Sequence, residues 1–176
     1  MARLIADTKN HLLHGYGRHF AMTYGRHGTV AAEQKREGDG ATPLGLYPIR
    51  AALLRADRIS VRPAHLPWRH LHSQDGWSDD VRDPAYNRPV VHPHPHSAEY
   101  LWRDDSAYDV ILVLGHNDAP PVAGMGSAIF FHCRNDAPHT EGCIAIARAD
   151  MLWLLPQLRA GAAPGMARSL LMGGQA

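Results

Sequence analysis

The run Ser127-Ala-Ile-Phe-Phe-His132-Cys133-Arg-Asn-Asp-Ala-Pro-His139-Thr140-Glu141-Gly142-Cys143-Ile144-Ala-Ile146 holds two short apolar segments on either side of a polar loop. Ser127–Phe131 reads as a buried strand with His132 at its polar end, and Cys143–Ile146 reads as a second strand. Between them the Asn, Asp and Pro residues mark a loop that ends in Thr140-Glu141-Gly142. Two strands joined this way can set an imidazole beside a thiol.

The rest of the chain repeats the pattern of short strands and tight turns. Asp109-Val-Ile-Leu-Val-Leu-Gly115 is an apolar, largely β-branched run bounded by turn residues, the signature of a strand buried on both faces. Arg3–Ala6, Leu12–Leu13 and Phe20–Tyr24 read as strands separated by Gly15, Gly17, Gly25 and Gly28. Gly38-Asp39-Gly40 is a turn, and Pro43 and Gly45 precede a strand at Leu46–Ile49. Residues 63–97 are dense in proline and histidine, lack helical spacing and read as a long irregular excursion. Ala98–Arg103 reads as a short helix, Arg148–Leu155 as a helix stopped by Pro156, and Ser169–Met172 as a last strand. The expected fold is all-β, in a single domain over residues 1–176.

Composition narrows the function classes. A chain of 176 residues is long enough for one real core, burying roughly 70% of its unfolded surface. A formal charge of +1, with 18 basic residues scattered along the chain, gives no basis for nucleic-acid binding or for an anionic membrane surface. No apolar run is long enough for an integral membrane segment. Met1-Ala-Arg-Leu-Ile-Ala-Asp7 is interrupted by charge, whereas the apolar part of an export signal needs about seven residues, so no signal peptide is read here.

Two cysteines make no disulfide framework. Alternation along Phe131-His132-Cys133 points Cys133 away from His132, which makes Cys133 a packing residue. Cys143 is the expected nucleophile and His132 its base, acting by accepting the thiol proton or by holding a thiolate–imidazolium pair. Gly142 leaves room for a substrate carbonyl, so the N–H groups from Thr140 through Gly142 to Cys143 are the expected oxyanion hole. Taken singly, a buried cysteine or a histidine at a strand end is more often inert.

The pattern His132, spacer, Thr140-x-Gly142-Cys143 resembles the catalytic signature of the YkuD-type L,D-transpeptidases. Lys35-Arg-Glu-Gly-Asp-Gly-Ala-Thr-Pro-Leu-Gly-Leu-Tyr47 is similar to the segment ahead of that family's central strands. Gly76-Trp-Ser-Asp-Asp80, Tyr86-Asn-Arg88, Leu101-Trp-Arg103, Tyr108-Asp109 and Gly115-His-Asn117 resemble a compact bacterial branch of it. The resemblance implies a β-sandwich of mixed sheets with few short helices. It also implies a cysteine acyltransferase with no cofactor, whose partners are peptidoglycan stem peptides as donor and acceptor. The thiolate would attack the amide after meso-diaminopimelate and release D-alanine, and an amine of a second stem would take the acyl group. It implies carbapenem-type inhibitors, a role in cell-wall biogenesis and cell shape, and, on substrate grounds, a periplasmic location.

The common motif carries Arg or Asn two residues after the nucleophile, and here Ala145 stands there. A cation for the substrate carboxylate must come from elsewhere, and Arg134 and Arg148 are the nearest in sequence. His139 is a candidate for the cleft wall, as are His116 and Asn117 at the end of a strand. Asp79, Asp80 and Tyr86 are candidate acceptor contacts, since adjacent carboxylates suit an ammonium group. Together with Ala145 they favour a 1→3 link (L-Ala–diaminopimelate) over the commoner 3→3 link.

His92-Pro-His94-Pro-His96 alternates so that a metal could be held on one face, but a proline-rich loop that merely exposes them is favoured, and no metal site is assigned. Trp77 and Trp102 are the tryptophans best placed for a cleft. Two other readings stand beside the transpeptidase. One is a thiol L,D-carboxypeptidase or amidase that uses water. The other is a non-catalytic, His-rich metal- or wall-binding module. An activated Cys143 should alkylate below a thiol's ordinary pKa of about 8.5, which separates the enzymes from the module.

Overall fold

The computed structural model describes residues 4–158 and, as backbone, Ser169–Met172. The strands are β1 Leu4–Asp7, β2 Leu12–Gly15, β3 Arg18–Thr23, β4 Thr29–Ala31, β5 Thr42–Leu54, β6 Trp68–His70, β7 Asp75–Ser78, β8 Pro89–Val91, β9 Ala98–Tyr100, β10 Val110–Leu114, β11 Phe130–Cys133, β12 Ile144–Ile146 and β13 Ser169–Met172. One α-helix, α1 Arg148–Leu154, follows β12.

The order β10-β11-β12-β3-β2-β1-β13-β5 returns to β10 through the β10–β5 pairing, so the main sheet closes on itself. It is mixed: β11–β12, β1–β13, β4–β5 and β5–β6 are parallel, and the other pairs are antiparallel. The 13-residue β5 serves as the spine, pairing β13 over Gly45–Pro48 and β10 over Ile49–Leu54. Pro48, which has no N–H to give a ladder, sits where the partner changes. The fold is the all-β, mixed-sheet class that the sequence led us to expect.

Strand alternation divides two cores. Val110, Leu112 and Leu114 of β10, Phe131 and Cys133 of β11, and Ile144 and Ile146 of β12 pack into the larger one. Ile111 and Phe130 face the opposite side, in a smaller core with Leu53, Leu71, Leu101, Tyr108 and Cys143. The apolar run of β10 is therefore continuous because both of its faces are covered.

Three expectations need correction. The excursion is not wholly irregular: β6 lies within it, and β7, β8 and β9 form a separate antiparallel sheet in the order β8-β7-β9. Ala98–Tyr100 is strand rather than helix, because it pairs with Gly76–Ser78 and tertiary pairing overrides local propensity. The strand expected from Ser127 begins only at Phe130, since Gly126 and Ala128 hold φ of +88° and +51°, outside the extended region.

Candidate active site

Parallel pairing of β11 with β12 sets Phe131 opposite Ile144 and His132 opposite Ala145. Cys143, one residue before β12, shares Ala145's face by alternation, and so does His132 across the pair. His132 and Cys143 accordingly line one cleft of about 480 Å³, together with Thr140, His139 and Asp79.

The turn before the thiol is held from several sides. Thr140 Oγ1 donates to the Cys143 carbonyl at 2.6 Å and accepts the Gly142 N–H at 3.2 Å. Thr42 Oγ1 donates to the Gly142 carbonyl at 2.8 Å and accepts the Gly25 N–H at 2.9 Å. The Thr140 N–H donates to the Tyr24 carbonyl at 3.0 Å, which ties the turn to the chain just after β3. Gly142 has a φ of +139°, and a Cβ there would lie 3.0 Å from the Ala41 carbonyl oxygen, so both conformation and space call for glycine. Of the three residues expected to supply the oxyanion hole, Gly142 has its N–H directed to Thr140 Oγ1 in this resting arrangement.

Cys143 Sγ accepts the Phe130 N–H at 3.3 Å and lies 3.2 Å from the Ala128 carbonyl, which can only accept, so the thiol donates there. Ala128 takes the left-handed conformation and is fixed by Asn87 Oδ1, which accepts its N–H at 3.1 Å. Burial pushes the Cys143 thiol up to about 12, with Glu99 adding to the rise and the Phe130 N–H and Lys35 opposing it. Burial likewise pushes His132 down to about 4, against the Cys133 and Ala107 carbonyls. Its Nδ1 donates to the Cys133 carbonyl at 2.8 Å, which makes Nε2 the basic nitrogen of the neutral ring. Burial thus favours the neutral thiol and the neutral imidazole over a thiolate–imidazolium pair in the ligand-free cleft. The backbone carbonyl of Cys133 is the group that orients the imidazole.

Tyr108 closes the back of the site. Its ring meets the His132 ring edge-on with centroids 5.0 Å apart, and its hydroxyl donates to the Glu99 carboxylate. Burial holds the Tyr108 phenol well above its ordinary range, and burial also raises the Glu99 carboxyl. Arg103 pairs through two bonds with Asp105, at 2.9 and 2.6 Å.

The cleft wall does not include the other candidates. Arg148 is held by Asp109 at 2.7 Å, and Arg134 follows β11 with its N–H on the Ile146 carbonyl. Asp80 pairs with Arg82 at 2.8 Å and lies 3.5 Å from His96. Tyr86 is buried behind the wall, its hydroxyl on the Glu37 carboxylate. His116 bonds the Met125 carbonyl at 3.0 Å, and Asn117 clamps Val122 and Gly126, so both brace the loop leading to Ser127.

Of the alternating histidines, His92 turns away to stack on Tyr100 at 3.6 Å, while His94, on Asp83 at 2.6 Å, keeps its ring 5.9 Å from that of His96. Among the described residues no group of three or more His, Cys, Asp or Glu is placed to hold a metal ion. Trp77 packs edge-on to Phe130 at 5.1 Å and Trp102 lies under Arg55 at 3.8 Å, and neither lines the cleft.

Lys35, Glu37, Glu99, Arg103 and Tyr108 do line it and received no role from the sequence. Lys35 is only 2% exposed, with its ammonium on Asp39 and, at 2.9 Å, on the Arg36 carbonyl. The available signal was the charged Lys35–Asp39 turn, dense in Gly and set before a strand.

No helix among the described residues is long and apolar enough to cross a membrane. Among the curated proteins, none matches the chain. A family model does: residues 3–165 match the YkuD L,D-transpeptidase catalytic domain, nearly the whole chain. With that match spanning the cleft, the thiol and the imidazole, the chain belongs to the YkuD L,D-transpeptidase family.

Proposed function

We propose that this chain, acting as one catalytic domain, joins diaminopimelate-containing peptidoglycan stems through a thioester on Cys143. The observation that carries this reading is the shared cleft: Cys143 and His132 line the same wall, with Nδ1 of His132 tied to the Cys133 carbonyl. With both groups neutral at rest, proton transfer from Sγ to Nε2 accompanies attack on the donor carbonyl. The imidazolium then gives its proton to the departing D-alanine amine. The Gly142 and Cys143 N–H groups receive the oxyanion, Gly142 by turning from Thr140 Oγ1.

The acceptor reading is a 1→3 link. Ala145, 1% exposed, offers no charged group beside the thiol, and Arg134 and Arg148 lie off the wall, which leaves Lys35 and Arg103 as its permanent cations. His139 lines the wall beside Thr140 and is free to meet a stem peptide. The family's substrate lies outside the cytoplasm, and we place the activity in the periplasm.

Intact-protein mass spectrometry with a tetrapeptide stem tests the thioester. We expect a gain equal to the stem less D-alanine, absent in Cys143→Ala, and a single carbapenem adduct at the same residue. No adduct with either reagent sinks the proposal. Muramidase digests of sacculi from expressing cells, with the dimers sequenced by tandem mass spectrometry, read the link. Dimers joined only diaminopimelate to diaminopimelate refute the 1→3 assignment.

A further inference from the structure

Glu37, Asp79 and Glu99 line the same cleft as Cys143. They reach it from different parts of the chain: the turn before β5, the residue just after β7 and the middle of β9. None forms an ion pair among the described residues, and Arg103 acts on Glu99 only from a distance. The two permanent positive charges on the wall are committed elsewhere, Lys35 to Asp39 and Arg103 to Asp105.

The three carboxylates instead meet hydroxyls or nothing. Glu37 takes Tyr86 and, at 2.7 Å, Ser127; Glu99 takes Tyr108. Asp79 Oδ1 is shut off from solvent and has no hydrogen-bond partner, which leaves a buried acceptor oxygen lacking a donor. Burial raises the Glu99 carboxyl most, the Tyr108 hydroxyl and Arg103 oppose it, and Asp79 and Glu37 add to the rise, so the carboxylates repel across the cleft. Such a wall needs positive charge from a ligand. A point ion does not fit, because no three acidic, His or Cys side chains among the described residues converge enough to hold a metal. An amine presents three N–H donors on a movable chain and can satisfy carboxylates that do not converge.

We propose that Glu37, Asp79 and Glu99 form the acceptor subsite of this cleft, which takes a primary ammonium group of the incoming peptide and fills the unmet Asp79 oxygen. This rests on the transpeptidase reading above and adds the group by which the acceptor is chosen over water.

The test is calorimetric titration of the wild-type chain with a diaminopimelate-containing tripeptide, with its amines free or fully acetylated, and with calcium chloride as a third titrant. We expect acetylation to weaken binding at least about tenfold, the scale of losing charge-assisted bonds. Asp79→Asn and Glu99→Gln, each checked for folding by circular dichroism, should weaken the free-amine peptide by a similar factor and leave the acetylated one unchanged. Equal binding of the two peptides, or of neither, overturns the proposal. So do variants that weaken both peptides alike, or calcium that displaces the free-amine form. If the titration behaves as expected and no thioester forms with a tetrapeptide donor, the subsite stands and the transpeptidase reading falls.

Discussion

Cys133 and Cys143 have the same side chain at nearly the same burial, and burial pushes both thiols up to about 12. They lie on opposite faces of one sheet. Cys133 packs with Phe131 and Ile146 in the larger core, and Cys143 opens onto the cleft with His132. Ionisation at rest therefore does not distinguish them. What separates a reactive thiol from an inert one here is which face of β11 and β12 it occupies, and whether an imidazole shares that face.

Substitution probes this contrast most strongly at Cys143. Cys143→Ala should abolish thioester formation and cross-linking with the fold unchanged, as read by intact mass and circular dichroism. His132→Ala should leave a thiol without its base and lower turnover about 10²–10⁴-fold. A variant that kept its rate would mean that the two faces differ in access alone.

Thr140→Val removes the hydroxyl that bonds Cys143 O and Gly142 N, and should destabilise the chain by about 1–3 kcal/mol in urea titration. Cys133→Ala should cost about 1 kcal/mol from a small cavity and leave turnover unchanged. Loss of turnover with normal folding there would reverse the roles of the two thiols.

The contrast also carries a pH dependence. His132 has its folded pKa lowered to about 4 from 6.5, so the unfolded chain binds the proton first on acidification. The stability this group contributes is present above 6.5 and lost as pH falls towards 4, and urea midpoints of His132→Gln should decline less across that window. Raised thiols act in the opposite sense: the stability they contribute falls as pH climbs from 9.0 towards 12.

Local pattern carried far in this chain. The β10 run, the helix after β12 and the inward face of Cys133 all follow from periodicity and residue type, although the α-helix ends at Leu154 and the chain passes Pro156 in a 3-10 turn over Leu155–Gln157. The start of β11 did not, because Ala128 in a left-handed conformation has no sequence signal as a glycine would. Nor did β7–β9, short strands whose pairing links residues well apart in the chain. In the site, spacing put thiol, base and glycine together. Arg148 looked available because it is charged and near in sequence, yet Asp109, just before β10, claims it. Lys35, Glu37 and Glu99 reach the cleft only through tertiary folding, which no local window contains.

The closed sheet has a consequence for assembly. β12, the strand that follows the nucleophile, is the seam that joins β11 to β3 from the opposite end of the chain. Isoleucines 144 and 146 must be made before residues 18–23 gain that neighbour, so this ring cannot close early during synthesis. Pairings this distant in sequence are formed slowly. In refolding from denaturant, thioester-forming capacity should therefore return with ring closure and not with the earlier N-terminal hairpins, so the chain remains catalytically silent until its two ends are sewn together.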